Sequence, residues 1–365
     1  MGLLIMRSLH SVTDKALDDV LNQSEITLNE LRELFLARGI LISKETPRKD
    51  LARNFSKFSH DYYDHQKIAS YIGSNNRREK LTAKVIATKL EVDEIILAAE
   101  KLKADIESRN DLCQISTIDG KVRLNVSYLS TNYGKSDFKQ VITKTALIEV
   151  EPSEKGFLLR RPENEQTQEY EDVFLASLEH IVASRSAEGE KQESLNVKEI
   201  SLEHINTPKL RTKFFVKLIN GLKGYVLDDV TDAYVYHPKP EKIKEQDGNT
   251  ETGIHIDRAS LKGEGVLKSE EISSLYERGF YICKIKWRAK EDLVDPDIYE
   301  FEAQFSDQGN FKDFSYLAKG VKKYKGNGQY NKNFVSLSKN EETFFAKLIE
   351  SAAYSIIMEI EKEKA

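Results

Sequence analysis

The sequence predicts an α+β protein: an N-terminal helical module, then a mixed α/β region, then an antiparallel sheet packed with helices. Three observations carry this expectation. Helix-period apolar stripes with start signals stand at both ends of the chain, the clearest being Ser338 and Glu341 as a capping box before Phe345, Leu348, Ile349, Ala352, Ala353, Ile356 and Ile360. Strict alternation marks half-buried strands at Val122, Leu124, Val126 and Tyr128. The same alternation returns at Tyr281, Cys283, Ile285 and Trp287 and at Tyr299, Phe301, Ala303 and Phe305.

In chain order, residues 10–23 read as a helix with Leu9, Leu17, Val20 and Leu21 on one side. Thr27 and Glu30 have the form of a second capping box, opening a helix that carries Leu28, Leu31, Leu34 and Phe35 and ends at Gly39. An extended Ile40-Leu41-Ile42 follows. Thr46 as cap and Pro47 at the first helical position start the next helix, with Leu51, Ala52 and Phe55 apolar. Residues 61–72 form another, broken by Gly73-Ser74-Asn75-Asn76. Val92 to Ile106 has helical spacing, strands are expected at 144–150 and 155–161, and 167–183 is an amphipathic helix. Residues 184–194 are small, polar and charged, as in a linker. Beyond it come helices at 208–221 and 269–277 and strands at 224–237, 252–262, 279–289 and 297–306. A length of 365 residues suits two or three domains. The expected division is 1–80, 81–185 and 195–365.

Composition narrows the function classes. Hydrophobic residues make up 39% and charged residues 32%, which fits packed cores under a strongly solvated surface. A net charge of −5 argues against a nucleic-acid coat protein, though not against a local basic patch. Cys113 and Cys283 are too few for a thiolate zinc site or a disulfide framework, which suits a reducing cytoplasm. The run Gly2-Leu3-Leu4-Ile5-Met6 is too short for a signal-peptide core, and no apolar stretch approaches the ~20 residues that span a bilayer. Phosphate-binding glycine loops and serine or cysteine triads are not evident. No cofactor or metal is expected, and an enzyme is the less favoured class.

The strongest functional hint lies between Leu31 and Phe55. Arg38-Gly39-Ile40 makes a basic-glycine-apolar turn, Ser43 sits in the extended loop, and Arg48 and Leu51 open the following helix. This pattern resembles the helix–extended loop–helix of SAP-type DNA-binding modules over about 30 residues, with a longer loop and without the second loop glycine. The resemblance implies DNA contact through the basic side chains. From Glu25 to Leu90 the chain carries 13 Lys/Arg against 8 Asp/Glu. The expected contact residues are Arg32, Arg38, Lys44, Arg48, Lys49 and Arg53, together with Arg77 and Arg78; Lys57 lies in the same cluster.

Three other segments invite comparison. His60, Asp61, Asp64 and His65 offer two i,i+4 pairs, better read as a helix cap than as a metal site. Asp297, Glu300 and Glu302-Ala303-Gln304 are similar to the acidic motif of restriction-like nucleases. Their alternation against Lys284, Lys286 and Arg288 favours cross-strand ion pairing on an exposed sheet face instead. Residues 319–334, with Lys319, Lys322, Lys323, Tyr324, Lys325, Tyr330, Lys332 and Phe334, interleave base-stacking rings with phosphate-seeking ammonium groups around a Gly326-Asn327-Gly328 turn, or form an edge hairpin whose lysines block aggregation. The expected function is a nucleic-acid-binding adaptor, for DNA rather than RNA, working with a protein partner or a second copy and without a membrane. In general character the chain resembles accessory proteins of bacterial anti-phage defence operons. The alternatives are a divergent metal-dependent nuclease using Asp297, Glu300 or Glu302, and an interaction scaffold with no nucleic-acid affinity.

Overall fold

A computed structural model describes residues 12–72, 78–154, 156–186, 194–238 and 256–364. Four helices come first: α1 (Asp14–Leu21), α2 (Leu28–Leu36), α3 (Arg48–Phe55) and α4 (Tyr62–Ile72). Next are β1 (Leu81–Ile86), α5 (Val92–Ser108), β2 (Leu112–Ile118), β3 (Lys121–Thr131), β4 (Val141–Ser153), β5 (Gly156–Pro162) and α6 (Glu165–Ser186). They lead to β6 (Val197–Glu199), α7 (Pro208–Asn220), β7 (Tyr225–Tyr236), β8 (Arg258–Lys262), α8 (Glu270–Glu277), β9 (Tyr281–Glu291) and β10 (Ile298–Asp307). The chain closes with β11 (Lys312–Lys322), β12 (Tyr324–Gly326), β13 (Gln329–Tyr330) and α9 (Lys339–Lys364). The fold is α+β. Eleven strands form one antiparallel sheet in the order β2-β3-β4-β5-β1-β11-β10-β9-β7-β8, with β6 also on β1, while β12 and β13 make a separate hairpin.

The chain forms two compact units. The first draws on described residues within Met1–Arg78, Glu100–Ser116 and Arg123–Leu147, the second on Glu79–Ala99, Thr117–Val122 and Ile148–Ala365. This differs from three consecutive segments because the middle of the chain contributes to both. Phe138, from the 3-10 turn Asp137–Lys139, is buried in the helical core with Leu17, Leu31, Phe35, Leu51 and Phe55. The strands β1 and β5 instead join the C-terminal sheet. The expected linker lies mostly outside the described residues, as do the break after α4 and the start of the strand expected at 252.

Within the second unit, one sheet face is apolar and packs under α7 and α9. Trp287, Phe301, Phe305, Phe314 and Tyr316 from the strands meet Phe214, Phe215, Phe345 and Ile349 from the helices. Rings interlock at 5.3 Å between Trp287 and Phe301 and 5.0 Å between Phe301 and Phe345. Each such buried ring contributes about 1.5–3 kcal/mol over an exposed one. The strand β1 is central: Leu81 pairs with Tyr316 of β11, and its full length pairs with β5. The hairpin from β4 into β5 needs glycine at 156, where φ is +126° and a Cβ would lie 2.1 Å from Ile86 O.

Charge also enters the core. Arg160 on β5 donates from Nε and Nη2 to Glu350 of α9, both at 2.6 Å. Its remaining donors reach Glu149 and Glu151 of β4 at 3.1 Å. Tyr316 donates its hydroxyl to the same Glu350, and Lys347 pairs with Glu151 at 2.7 Å. Burial and the Glu350 charge push the Tyr316 phenol well above its ordinary range. Removing one partner from a buried ionic cluster leaves the others uncompensated. Arg160→Ala is therefore expected to destabilise the second unit by about 3–5 kcal/mol, read as a fall in the urea midpoint followed through Trp287 fluorescence.

Candidate nucleic-acid interface

Local sequence signals build the helical module as expected. Thr27 and Glu30 form a reciprocal capping box, Glu30 N donating to Thr27 Oγ1 at 3.2 Å and Thr27 N to Glu30 Oε2 at 2.6 Å. Gly39 takes φ +73°, and Ile40 N donates to Phe35 O at 3.0 Å to close α2. The start of α3 differs by one residue. Pro47 itself is the cap, with φ −64° and ψ 149°, and Arg48 is the first helical residue. Thr46 N instead donates to Ser43 O, so Thr46 belongs to the loop turn. Asp61 and Asp64 bond each other's backbone N–H groups, which places them in a helix cap.

Three of the expected contact arginines are consumed inside the module. Arg32 Nη2 donates to Lys44 O at 2.6 Å and ties the loop to α2. Arg48 Nη1 donates to Leu21 O at 3.1 Å and Gln23 O at 2.8 Å, capping the C-terminal end of α1. Arg38 Nη2 reaches Ser59 O at 2.7 Å and Asp64 at 2.5 Å, with its guanidinium 5.0 Å from the Phe55 ring centre. The cations left for solvent are Lys44, Lys49, Arg53 and Lys57, all exposed. Lys49 and Arg53 lie one turn apart on α3, away from the buried Leu51 and Phe55, and Lys57 extends the basic stripe in the turn that follows the helix. Leu41 at the loop stands 87% exposed beside this basic segment. Arg77 lies outside the described residues, and Arg78 is half-buried and engaged within the chain.

A second cationic surface occupies the polar face of β7, β9, β10 and β11. The register sets Glu302 against Lys286 and Glu300 against Arg288, as alternation predicts. Lys284 and Lys80 pair with Glu302 at 2.8 and 3.1 Å, and Lys286 pairs with Glu300 at 3.3 Å. A bulge between Glu300 and Phe301 leaves Lys319 as the extra residue on β11, between both carboxylates at 3.5 and 3.8 Å. The face is not simply exposed; it is layered. The Glu300, Glu302 and Asp232 side chains are 8–16% exposed, while Lys80, Lys284, Lys286, Arg288 and Lys319 above them are 20–29% exposed. Solvent meets the cations. Burial pushes the Glu302 carboxyl up, but Lys284 and Lys80 outweigh it and hold the group at about 2.

The remaining expected residues divide. Lys322 joins this face, its ammonium 5.0 Å from the Phe334 ring centre. Lys323 is bound to Asp297 at 2.9 Å and Glu341 at 3.3 Å. Asp297 also accepts from Tyr324 N at 2.7 Å, so it is a structural anchor for the β12–β13 hairpin. Tyr324 packs on Tyr330, and Lys325 is exposed. With every nuclease-like carboxylate already engaged by ammonium or amide groups, Asp297, Glu300 and Glu302 do not present a free acidic cluster. The sequence places Lys80 and Lys319 in separate basic runs and not together at this face; for Lys319 the further signal is the break of alternation at Ala318-Lys319-Gly320-Val321.

No protein-family model matches this chain, and no protein of curated function matches it. Among the described residues no helix is long and apolar enough to cross a membrane.

Because the folded Glu302 carboxyl is depressed from 4.5 to about 2, its stabilisation is present above pH 4.5 and is lost as pH falls toward 2. Glu302→Gln should be less stable than the parent at pH 7 by about 1–3 kcal/mol. The gap should narrow steadily between pH 4.5 and pH 2, as measured by urea midpoints across that window. Arg48→Ala should cost about 1.5–3 kcal/mol through loss of charge-assisted bonds to α1, visible as lowered amide protection in α1 by hydrogen exchange.

Proposed function

We propose that this chain is a nucleic-acid-binding adaptor that engages DNA through the exposed stripe Lys49–Arg53–Lys57, with Lys44 at the adjoining loop. The observation that carries the reading is the division of labour among the cations. Arg32, Arg38 and Arg48 are engaged by carbonyls and a carboxylate of the module itself. The stripe has no carboxylate partner among the described residues, so its charge is available to phosphates. The helix–extended loop–helix geometry of α2 and α3 supports the SAP-like resemblance, which in turn favours DNA over RNA. Free, buried Cys113 and Cys283, with thiols pushed by burial up to about 11 and about 12, suit a cytoplasmic protein whose cysteines only pack. An adaptor of this kind works beside a protein partner that supplies the chemistry.

Binding of the full chain to a labelled DNA duplex at several salt concentrations tests the reading. Lys49→Ala/Arg53→Ala/Lys57→Ala should flatten the dependence of log K on log salt by roughly two to three. Affinity at about 0.1 M salt should drop at least tenfold while thermal stability stays unchanged. An unaltered slope would overturn the assignment.

A further inference from the structure

We propose that the cationic face of β7, β9, β10 and β11 is a single-strand nucleic-acid platform, an inference that rests on the nucleic-acid reading above but on different residues. Charge is the first argument. Lys80, Lys284, Lys286, Arg288, Lys319 and Lys322 stand over Glu300, Glu302 and Asp232, which leaves cations in excess and places the anions beneath them. Such a surface presents ammonium and guanidinium groups without the mutual repulsion that an unbuffered lysine cluster would suffer, because Glu300 and Glu302 each hold three of them in place and Asp232 holds Lys286. Its complement is a chain of phosphates.

Aromatic rings on the same face choose between single and double strands. Phe334 is half-buried, with Lys322 and Arg288 at 5.0 and 5.5 Å from its ring centre. Tyr234 is half-buried, with Lys284 and Lys262 at 4.9 and 5.9 Å. Each is a ring flanked by two cations, the pairing that stacks an unpaired base while holding its phosphate. Bases inside a duplex are already stacked and cannot use these rings. Strand spacing and rise put the two rings about 20 Å apart, so one extended strand of several nucleotides spans both.

The position of Phe334 is built into the fold. Val321 and Val335 exchange backbone hydrogen bonds at 3.0 and 2.9 Å, which lays the segment before α9 along the edge of β11. That approach requires glycine at 320, where a Cβ would lie 2.6 Å from Val335 O and 3.4 Å from Phe334 Cβ. The ring is thus fixed over the lysine layer by backbone geometry.

Fluorescence anisotropy of the full chain with a labelled oligo(dT) of 20 nucleotides, beside a duplex of equal length and heparin, tests the proposal. Phe334→Ala/Tyr234→Ala should weaken oligo(dT) binding by about 10–100-fold and leave duplex and heparin affinity unchanged. Phe334→Tyr/Tyr234→Phe should retain binding. Lys322→Ala, which removes an ammonium with no carboxylate partner among the described residues, should lower the oligo(dT) salt slope by about 0.7. Failure of the parent to bind oligo(dT), an equal loss on all three probes, or no loss in the double alanine variant would each overturn the proposal. Repeating the series with the Lys49/Arg53/Lys57 alanine variant separates the surfaces. Duplex binding lost there with oligo(dT) binding kept supports both readings. Duplex binding kept there, with oligo(dT) binding still lost in the ring variant, overturns the α3 assignment and supports this one.

Discussion

Two consecutive arginines on β5 hold the second unit together. Neighbouring residues of a strand point to opposite faces, so Arg160 and Arg161 anchor different helices to the same sheet. Arg160 grips Glu350 of α9 with two donors on the apolar face, while Arg161 pairs with Glu171 of α6 on the other. Both carboxylates are almost wholly buried, as are both guanidinium groups. A lysine could not replace Arg160, because a single ammonium cannot present a planar fork to Glu350 while also reaching Glu149 and Glu151. Apolar burial supplies the larger share of the stability. The two arginines add a directional contact between each helix and the sheet that apolar burial does not supply.

The polar face solves a different problem with the same chemistry. An antiparallel strand pair such as β9 and β10 can expose one side to water, and cross-strand pairs of opposite charge stabilise it. Here the glutamates are shorter than the lysines and lie closer to the backbone, so the anions end up inside and the cations outside. The bulge that inserts Lys319 strengthens this asymmetry by giving Glu300 and Glu302 a further shared partner. A device that pairs strands thereby yields a surface with a definite sign. The depressed Glu302 carboxyl is the electrostatic trace of that arrangement, since burial alone would have raised it.

Much of this was legible in the sequence where the signal is local. The capping boxes at Thr27 and Ser338, the left-handed Gly39, and the alternation of β3, β9 and β10 each depend on residues a few positions apart. What escaped depends on partners far along the chain. The strand β1 has no clear alternation of its own, and its place between β5 and β11 is set by pairing with residues about 70 to 80 and more than 200 positions away. The strand β11 does alternate at Phe314, Tyr316 and Ala318, but the bulge shifts the phase so that Val321 is buried where strict alternation would expose it. The roles of Phe138 and Lys80 have the same origin, a short segment whose partners lie elsewhere in the sequence.

The candidate interface was legible as a region but not as a set of residues, and the reason is chemical. Sequence counts every cation alike, whereas folding sorts them by what their side chains can reach. Arginine carries five donors in a rigid plane, which suits it to satisfying scattered carbonyls at helix ends and loop turns. Arg32, Arg38 and Arg48 do that work, each bridging segments 12 to 27 residues apart. Lysine, a flexible point charge that prefers water, gains little from such sites and remains outside at Lys44, Lys49 and Lys57. Arg53, one turn from Lys49 on α3, is the exception and stays exposed. In a module of this size the arginines therefore define the scaffold and the lysines define its surface charge. A basic cluster in a sequence overstates the charge offered to a ligand by the number of arginines that the fold itself requires.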